Sequence, residues 1–448
     1  MEIVIKLSQF LLSLSLLIIL HELGHFIPAK MFKTRVEKFY LFFDVKFSLL
    51  KKKIGETEYG IGWLPLGGYV KISGMIDESM DKEQMALPPQ PWEFRTKPAW
   101  QRLIIMLGGV FVNFVLAFVI YIGMAYAYGD IYLKNSELKD GIAVNSSVGE
   151  ELGLKTGDKI IAVDGEKIAH FDEIPMKILF SKSALIVRDG KELTINFPVD
   201  LIDKVLKGEK NTRFIGIREP FAVGKVPDSS ANRKVLLSKD IIKSLNGEPT
   251  KYADQVVEIL KNNKNKTVDA VVLRDEKEVA VKINIDKNGK LGIYTGSIGT
   301  KSLEKLGYYK FSTQEYGFFE SFPVGIEKGK DQLLGYGKQL KAIFNPDTGA
   351  YKGVGGFKAI FDIFPSNWSW EVFWNITALL SIMLGVMNLL PIPALDGGHV
   401  MFLLYEMISG RKPSDKFLEN AQTVGFFLLI TLLLFANGND IYKAIVGK

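Results

Sequence analysis

Five consecutive residues near the start of the chain could bind a metal ion and use it for hydrolysis. His21-Glu22-Leu-Gly-His25 is an H-E-x-x-H sequence. On a helix, residues i and i+4 share a face, so both imidazoles could bind one zinc ion while the Glu22 carboxylate points to the water beside it. Zinc lowers the pKa of such a water toward about 7, and a carboxylate can accept its proton as it attacks a carbonyl. The pattern therefore predicts zinc-dependent hydrolysis with Glu22 as the base.

Composition limits the other ligands and the function classes. The chain has four histidines and no cysteine, so a metal site must use histidine, aspartate or glutamate, and disulfides and cysteine nucleophiles are excluded. We predict that His170, in the middle of the chain, has no part in the site. The formal net charge of +6 is modest for 448 residues and the lysines are spread out, which argues against nucleic-acid binding.

A second motif lies in the last quarter of the chain. Residues 388–399 read Asn-Leu-Leu-Pro-Ile-Pro-Ala-Leu-Asp-Gly-Gly-His. The two prolines should break a helix and the paired glycines allow unusual backbone angles, which places Asp396 on irregular backbone at membrane depth. A catalytic zinc site normally has three protein ligands and one open position. We therefore predict that Asp396 is the third ligand; the alternative is an aspartate that only ends a helix. His399 could be a fourth ligand, but that would close the open position, so a supporting or structural role is favoured.

Four apolar runs predict a membrane protein with about four transmembrane helices. They are Ile3–Leu20, Leu103–Tyr128, Val372–Leu390 and Thr423–Ala436. A signal peptide is the alternative for the first run, but it has a single basic residue, lacks a cleavage site and continues into the H-E-x-x-H motif. The fourth run is short and could be interfacial instead. Basic residues near the span ends fall on one side, which is predicted to be cytoplasmic; they are Lys30, Lys33, Arg35, Lys38, Lys51, Lys52, Lys53, Arg95, Lys97, Arg102, Arg411, Lys412 and Lys416.

The region between the second and third runs contains two similar segments. Leu154–Ile168 and Leu237–Pro249 each combine short β-type runs with a hairpin-turn dipeptide, Asp164-Gly165 or Asn246-Gly247. The pattern resembles PDZ domains. The second copy has Ser238-Lys239 where PDZ domains usually have a glycine before the aspartate. We predict two inserted PDZ-like α+β domains on the outer side of the membrane.

Two further segments have recognisable patterns. Thr57 to Ser73 reads as strands around a turn at 65–68, which predicts a membrane-associated β-hairpin near the first span. Its exposed edge could pair with an extended substrate, or the hairpin could only pack the cytoplasmic face. The stretch from Phe322 to Phe364 has helical spacing and predicts amphipathic helices that lead into the third span.

Taken together, these stretches resemble the site-2 protease family of intramembrane metalloproteases over nearly the whole chain. The matching stretches are His21–His25, Gly67–Lys71, Arg102–Phe114, the tandem PDZ pattern and Asn388–Gly398. The resemblance implies a zinc metalloendopeptidase in which His21, His25 and Asp396 bind Zn²⁺ and Glu22 is the base. It implies that Asn388 steadies the substrate or the oxyanion. One departure is Gly109-Val110, where relatives usually have Gly-Pro.

The resemblance also implies an organisation and a biological setting. The expected segments are 1–30 (first span), 31–102 (hairpin region), 103–128 (second span), 129–220 and 221–300 (PDZ-like domains), 301–371 (amphipathic helices), 372–410 (third span) and 411–448 (fourth span). The expected location is a bacterial inner membrane, in contact with lipid. The expected substrates are single-span membrane proteins, such as anti-sigma factors of a stress response or remnant signal peptides, first trimmed by a site-1 protease. The alternatives are an inactive membrane-anchored PDZ scaffold and a zinc transporter.

Overall fold

The computed structural model describes two compact units formed from non-contiguous segments. Described are residues 1–65, 67–75, 87–208 and 214–446. What we call the membrane unit consists of residues 1–129, 315–343 and 352–448. The inserted unit consists of residues 130–314 and 344–351.

Helices and strands alternate in blocks along the described residues. The helices are α1 (Glu2–Met31), α2 (Ala99–Tyr128), α3 (Ser147–Glu151), α4 (Ile174–Leu179), α5 (Leu201–Lys207), α6 (Ala253–Asn262), α7 (Thr300–Lys305), α8 (Ser321–Ile343), α9 (Phe357–Asp362), α10 (Trp370–Leu389), α11 (Asp396–Ser409) and α12 (Asp415–Val446). The strands are β1 (Val36–Leu41), β2 (Phe43–Ile54), β3 (Thr57–Leu64), β4 (Tyr69–Ile72), β5 (Asp130–Tyr132), β6 (Ile142–Val144), β7 (Lys159–Val163), β8 (Glu166–Lys167), β9 (Ser183–Arg188), β10 (Lys191–Asn196), β11 (Ile215–Ile217), β12 (Ala222–Val223), β13 (Ile241–Leu245), β14 (Glu248–Pro249), β15 (Thr267–Arg274), β16 (Lys277–Asn284), β17 (Thr295–Gly296) and β18 (Ser312–Gln314).

Four helices of the membrane unit are long and apolar enough to cross a bilayer. Among the described residues they are α1, α2, α10 and α12. At 1.5 Å per residue the 30 residues of α1 reach about 45 Å, more than the hydrocarbon core requires. The structure therefore has four candidate spans, the number that the sequence predicts. The apolar run that made the fourth span look short belongs to a 32-residue helix.

Glycines allow α1 and α2 to approach each other closely. A Cβ on Gly24 would lie 2.3 Å from the carbonyl oxygen of Gly108, and a Cβ on Gly108 would lie 1.9 Å from the carbonyl oxygen of Gly24. Small residues permit this spacing because no side chain separates the backbones. Helix α1 also contacts α10 through a hydrogen bond of 2.9 Å between the hydroxyls of Ser13 and Thr377. These contacts hold the middle and the last third of α1 against its neighbours.

The segment after α1 forms a four-stranded sheet in the order β2-β3-β1-β4. Strand β1 pairs with β3 in parallel and with β4 in antiparallel orientation. The prediction of a β-hairpin around residues 65–68 was therefore wrong in its pairing: strands lie on both sides of that turn, but β1 lies between them. Thr57 to Ser73 alone could not show this, because β1 comes from earlier in the chain. Strand β4 is at one edge of the described sheet.

The inserted unit contains two copies of one arrangement, which we call the first repeat (strands β6 to β11) and the second repeat (strands β12 to β17). In each, a buried aspartate accepts hydrogen bonds from an arginine two strands later, Asp158 from Arg188 and Asp240 from Arg274, with the nearest N–O distances 2.7 and 2.6 Å. The β7–β9 ladder is irregular after Ile160, and the β13–β15 ladder is irregular after Ile242. Equivalent irregularities at equivalent positions indicate duplication of one unit.

The inserted unit extends beyond the predicted boundary at residue 300. Leu303 and Tyr309 are buried in the core of the first repeat, and β18 pairs with β5. Residues 301–314 therefore belong to the inserted unit, and the membrane unit resumes at residue 315. Helix α8 follows and lies against α2, where Gly325 and Gly329 face Ile122 and Phe118.

Candidate active site

The metal-binding motif lies in the last third of α1, where the helix remains regular. His21 and His25 are both buried. Their Nε2 atoms are 3.3 Å apart, because one helical turn places the two rings on the same face. Space for the rings comes from Gly109 of α2, where a Cβ would lie 2.3 Å from Nε2 of His25 and 2.6 Å from Cε1 of His21. The α1–α2 contact therefore keeps a side chain out of the site.

Asp396 reaches the same point from an irregular backbone. Helix α10 ends at Leu389, six residues of loop contain the two prolines, and α11 begins at Asp396. Any side chain on Gly397 would collide with the carbonyl oxygen of Leu390 at 2.2 Å, so this glycine lets the loop fold over the start of α11. Oδ2 of Asp396 lies 3.4 Å from Nε2 of each histidine.

The three ligand atoms match the donor set and spacing of a zinc site. Ligands at 2.0–2.2 Å from zinc in a tetrahedron lie about 3.3–3.5 Å from one another. The three distances between His21, His25 and Asp396 are 3.3, 3.4 and 3.4 Å. Oδ2 of Asp396 is buried and accepts no hydrogen bond from the described residues. Two imidazole nitrogens and a carboxylate oxygen with no other partner fit a divalent cation.

Each histidine has a partner on the ring nitrogen that points away from the cluster. Nδ1 of His25 donates to the carbonyl oxygen of Ile105 at 2.8 Å. The side-chain amide of Asn113 lies 3.0 Å from Nδ1 of His21, and its Oδ1 is buried with no partner among the described residues. A half-turn of that amide would let Nδ1–H of His21 donate to Oδ1. The His25 bond to Ile105 and the turned amide of Asn113 each place the ring proton on Nδ1, which leaves the Nε2 lone pair toward the cluster.

A cavity of about 530 Å³ borders the cluster. Glu22 lines it beside His21, His25 and Asp396, and His399 also lines it. Asn388, in the last turn of α10, places its amide nitrogen 3.3 Å from Nε2 of His21. The structure thus brings all five predicted site residues together. His399 lies one turn after Asp396 and outside the cluster of ligand atoms that the described residues form.

Strand β4 forms another wall of this cavity. The consecutive residues Gly68, Tyr69, Val70, Lys71 and Ile72 all line it. Since neighbouring side chains of a strand point to opposite faces, this continuous lining indicates that the edge of the strand, rather than one face, borders the cavity. A Cβ on Gly68 would lie 2.5 Å from Ile18, so this glycine lets the chain pass directly over α1.

A polar cluster connects β4 to the rest of its sheet. The hydroxyl of Tyr69 donates to Oδ1 of Asp44 at 2.8 Å, and the ammonium of Lys38 lies 3.3 Å from Oδ2 of Asp44. Burial would raise the pKa of Asp44, but the Tyr69 hydrogen bond and the Lys38 charge outweigh it, and the pKa lies below its ordinary value. Burial and the bond to Asp44 raise the pKa of Tyr69. Asp44 is therefore ionised and Tyr69 protonated at neutral pH, which keeps the cluster intact.

Comparison with known proteins identifies the family. The model of the family described as Peptidase family M50 matches residues 9–432. The chain belongs to peptidase family M50. The predicted membership of the site-2 protease family is confirmed.

Three of the similar proteins illustrate a match over nearly the whole length of both chains. A Campylobacter jejuni protein named "Putative zinc metalloprotease" is 29% identical, over 98% of this chain and 93% of its own. A Fusobacterium nucleatum protein of the same description is 29% identical, over 96% of both chains. The "Regulator of sigma-E protease RseP" of Escherichia coli is 27% identical, over 97% of this chain and 98% of its own. This M50 chain is a multi-pass membrane protein and a metalloprotease, and the predicted zinc dependence is confirmed.

Solved structures that match part of the chain include a PDZ domain. It is the PDZ domain of an SdrC-like protein from Listeria monocytogenes, which covers 21% of this chain and 98% of its own length at 21% identity, with a TM-score of 0.16.

Asn113 and Gln422 are two residues near the site to which the motifs assign no role. Asn113 contacts His21, and Gln422 lines the cavity and is buried. Each is a polar residue in or beside an apolar run, and such residues are costly in a membrane unless they have partners. Their polarity within apolar sequence is the feature from which a role near the site could have been predicted for both residues.

Proposed function

We propose that this metalloprotease hydrolyses peptide bonds within the transmembrane segments of single-span membrane proteins. The observation that carries the proposal is the origin of the ligand atoms: His21 and His25 belong to one apolar helix, and Asp396 follows the end of another. Ionisable groups at such positions cost free energy, and those that occur there usually have a function. A protease acting on soluble proteins has no need to place its site there.

In this proposal His21, His25 and Asp396 hold the zinc ion and Glu22 is the general base. When bound, zinc supplies a Lewis acid that polarises the scissile carbonyl and makes water acidic. Glu22 accepts a proton from the attacking water and returns it to the departing amine. The amide of Asn388 donates to the carbonyl oxygen as negative charge develops there.

We propose that substrate binds as an added strand on the edge of β4. A transmembrane helix hides its carbonyls in its own hydrogen bonds, so it must unwind before hydrolysis. Main-chain groups at a strand edge can satisfy the unwound segment. The lining of the cavity by five consecutive residues from Gly68 to Ile72, next to Glu22, supports this binding mode.

We further propose a place in regulated intramembrane proteolysis at a bacterial inner membrane. The basic residues near the span ends favour an active site toward the cytoplasm and an inserted unit on the outer side. Similarity to the E. coli regulator of sigma-E protease supports anti-sigma factors or remnant signal peptides as substrates, after trimming by a site-1 protease. The duplicated sheets with matching Asp–Arg pairs support two PDZ-like domains in the inserted unit.

Cleavage of a labelled model transmembrane helix by the purified full-length protein tests the central proposal. We expect cleavage that stops with a chelator and returns with zinc. Glu22→Gln should bind zinc at wild-type stoichiometry and cleave at least about 100-fold more slowly, because general base catalysis contributes about 10²–10⁴-fold. Turnover by the Gln variant at the wild-type rate, or loss of its zinc, would contradict the role of Glu22.

Proline substitutions test the strand edge. In an antiparallel pair, adjacent residues point their N–H groups alternately to the partner and away, so of Tyr69→Pro and Val70→Pro one affects the β1 pairing and the other the open edge. We expect the edge variant to retain zinc but cleave a stable helix poorly, and a substrate with helix-breaking residues to restore part of the rate. If both variants retain zinc and cut stable helices normally, β4 only packs the site.

A further inference from the structure

The loop that presents Asp396 has a backbone conformation that its own hydrogen bonds do not explain. Ala394, two residues before the ligand, has φ of +77°, a region that residues with a Cβ rarely adopt. The loop's internal backbone bonds are Ile392 N–H to Leu390 C=O at 2.7 Å and Leu395 N–H to Ile392 C=O at 3.0 Å. Neither uses the N–H of Ala394.

The N–H of Ala394 donates instead to a side chain of the fourth span. Its acceptor is Oε1 of Gln422, on α12, at 3.2 Å. Gln422 is only 4% exposed, although most of α12 is exposed within this unit. A buried glutamine on such a helix is costly without a partner, so this hydrogen bond explains why the side chain points inward.

A glycine one turn further along α12 brings the helix backbone against the same loop. A Cβ on Gly425 would lie 1.7 Å from the carbonyl oxygen of Pro393 and 2.3 Å from its carbonyl carbon. No side chain can therefore occupy position 425 unless helix and loop separate. Gln422 and Gly425 contact neighbouring residues, Ala394 and Pro393, at the same place.

The far end of α12 is also fixed by polar contacts. The carboxylate of Asp440 accepts from the N–H groups of Gly356 at 2.9 Å and Ala359 at 3.2 Å, at the start of α9. Asn437 accepts from the N–H of Phe357 at 3.3 Å. Helix α12 is thus held at both ends, and one of its two attachments is the ligand loop.

We propose that Gln422 and Gly425 are positioning residues of the metal centre, which hold Pro393 and Ala394 in the conformation that aims Asp396 at the two histidines. The fourth span therefore completes the zinc site without contributing a ligand. This inference rests on the proposed role of Asp396 as a ligand.

Zinc affinity of the full-length protein, measured by competition with a chromophoric chelator, tests the proposal. Gln422→Leu removes the acceptor and should weaken zinc binding about tenfold, the loss expected for one good hydrogen bond. Gly425→Ala adds the colliding methyl and should weaken zinc binding at least as much, because helix and loop must separate. Gln422→Glu keeps an acceptor oxygen and should stay within about twofold of wild type. The matched control is Gly438→Ala on the same helix, where a Cβ meets nothing within 4 Å. It should also bind zinc normally.

Two further measurements separate positioning from a general loss of structure. In the metal-free protein, Gln422→Leu should speed amide exchange at residues 394–396 while the amides of α1 are unchanged. Adding Ala394→Gly, which adopts positive φ freely, should recover part of the lost affinity. If Gln422→Leu binds zinc like wild type, or Gln422→Glu is as weak as Gln422→Leu, the inference is wrong. Wild-type zinc binding by Asp396→Ala would instead contradict the ligand assignment on which it rests.

Discussion

The histidine pair and Asp396 meet at one point but are held there in different ways. His21 and His25 belong to a regular helix, and their spacing follows from the helical repeat alone. Asp396 follows a broken helix, and the loop before it contains Ala394 at positive φ. The first segment is nearly preformed, whereas the second depends on contacts with residues distant in sequence. Local helical geometry is enough to position two ligands, but the position of the third depends on contacts throughout the membrane unit.

Removing the carboxylate of Asp396 should have the largest effect on zinc affinity. Changes to residues that only orient a ligand cost about 10–100-fold in metal affinity, so Asp396→Ala should cost more than 100-fold. The metal-free variant should unfold no earlier than the metal-free wild type, because a buried carboxylate oxygen that accepts no hydrogen bond is removed. Metal analysis after dialysis and a thermal scan measure the two effects. Full occupancy would mean that the third ligand is elsewhere; Asp362→Ala, at an aspartate about half exposed, is the control.

Among small changes near the two histidines, Gly109→Ala should weaken zinc binding most. Its methyl would collide with His21 and His25, the shortest contact being 2.3 Å. Alanine is otherwise better than glycine within a helix by about 0.8–1 kcal/mol, so lost zinc binding must come from the collision. Gly123→Ala on the same helix is the matched control, since a Cβ there meets nothing within 4 Å. Equal zinc affinity of both variants would show that α1 and α2 tolerate a wider spacing.

The smallest of the three effects should come from Asn113. Asn113→Ala removes the partner of Nδ1 of His21 and should weaken zinc binding about 10–100-fold. Asn113→Asp keeps an acceptor in place and should bind zinc at least as well as the wild type. Chelator competition on both variants decides the point. Should the aspartate variant be as weak as the alanine variant, Asn113 fills space and does not fix the tautomer.

The same contrast explains how much the sequence could predict. The H-E-x-x-H spacing predicts a shared face because the helical repeat is local, and the prolines and glycines around Asp396 mark a break in an apolar run. The strands near residues 57–73 follow from local pattern as well. Their pairing does not, because β1 inserts between β3 and β4 from elsewhere in the chain.

The contacts of polar residues in the spans are harder to predict from the sequence. The sequence marks Asn113 and Gln422 as unusual in their surroundings, but the atom that each contacts depends on how its helix is rotated. That rotation is set by close glycine contacts, such as Gly24 with Gly108 of the next helix and Gly425 with Pro393 of the ligand loop. Such contacts involve residues far apart in sequence, and a single sequence does not encode them as a local pattern.

The pairing of β5 with β18 affects how easily the chain accommodates the long segment between these two strands. Asp130 lies opposite Gln314, so residues 130–314 begin and end at neighbouring points of one ladder. The two ends of the segment that contains both repeats therefore lie as close together as the two strands of a hairpin. Closing the chain between them costs little more for a long insertion than for a short one. Insertions or deletions within residues 133–311 would therefore leave the separation of Asp130 and Gln314 unchanged.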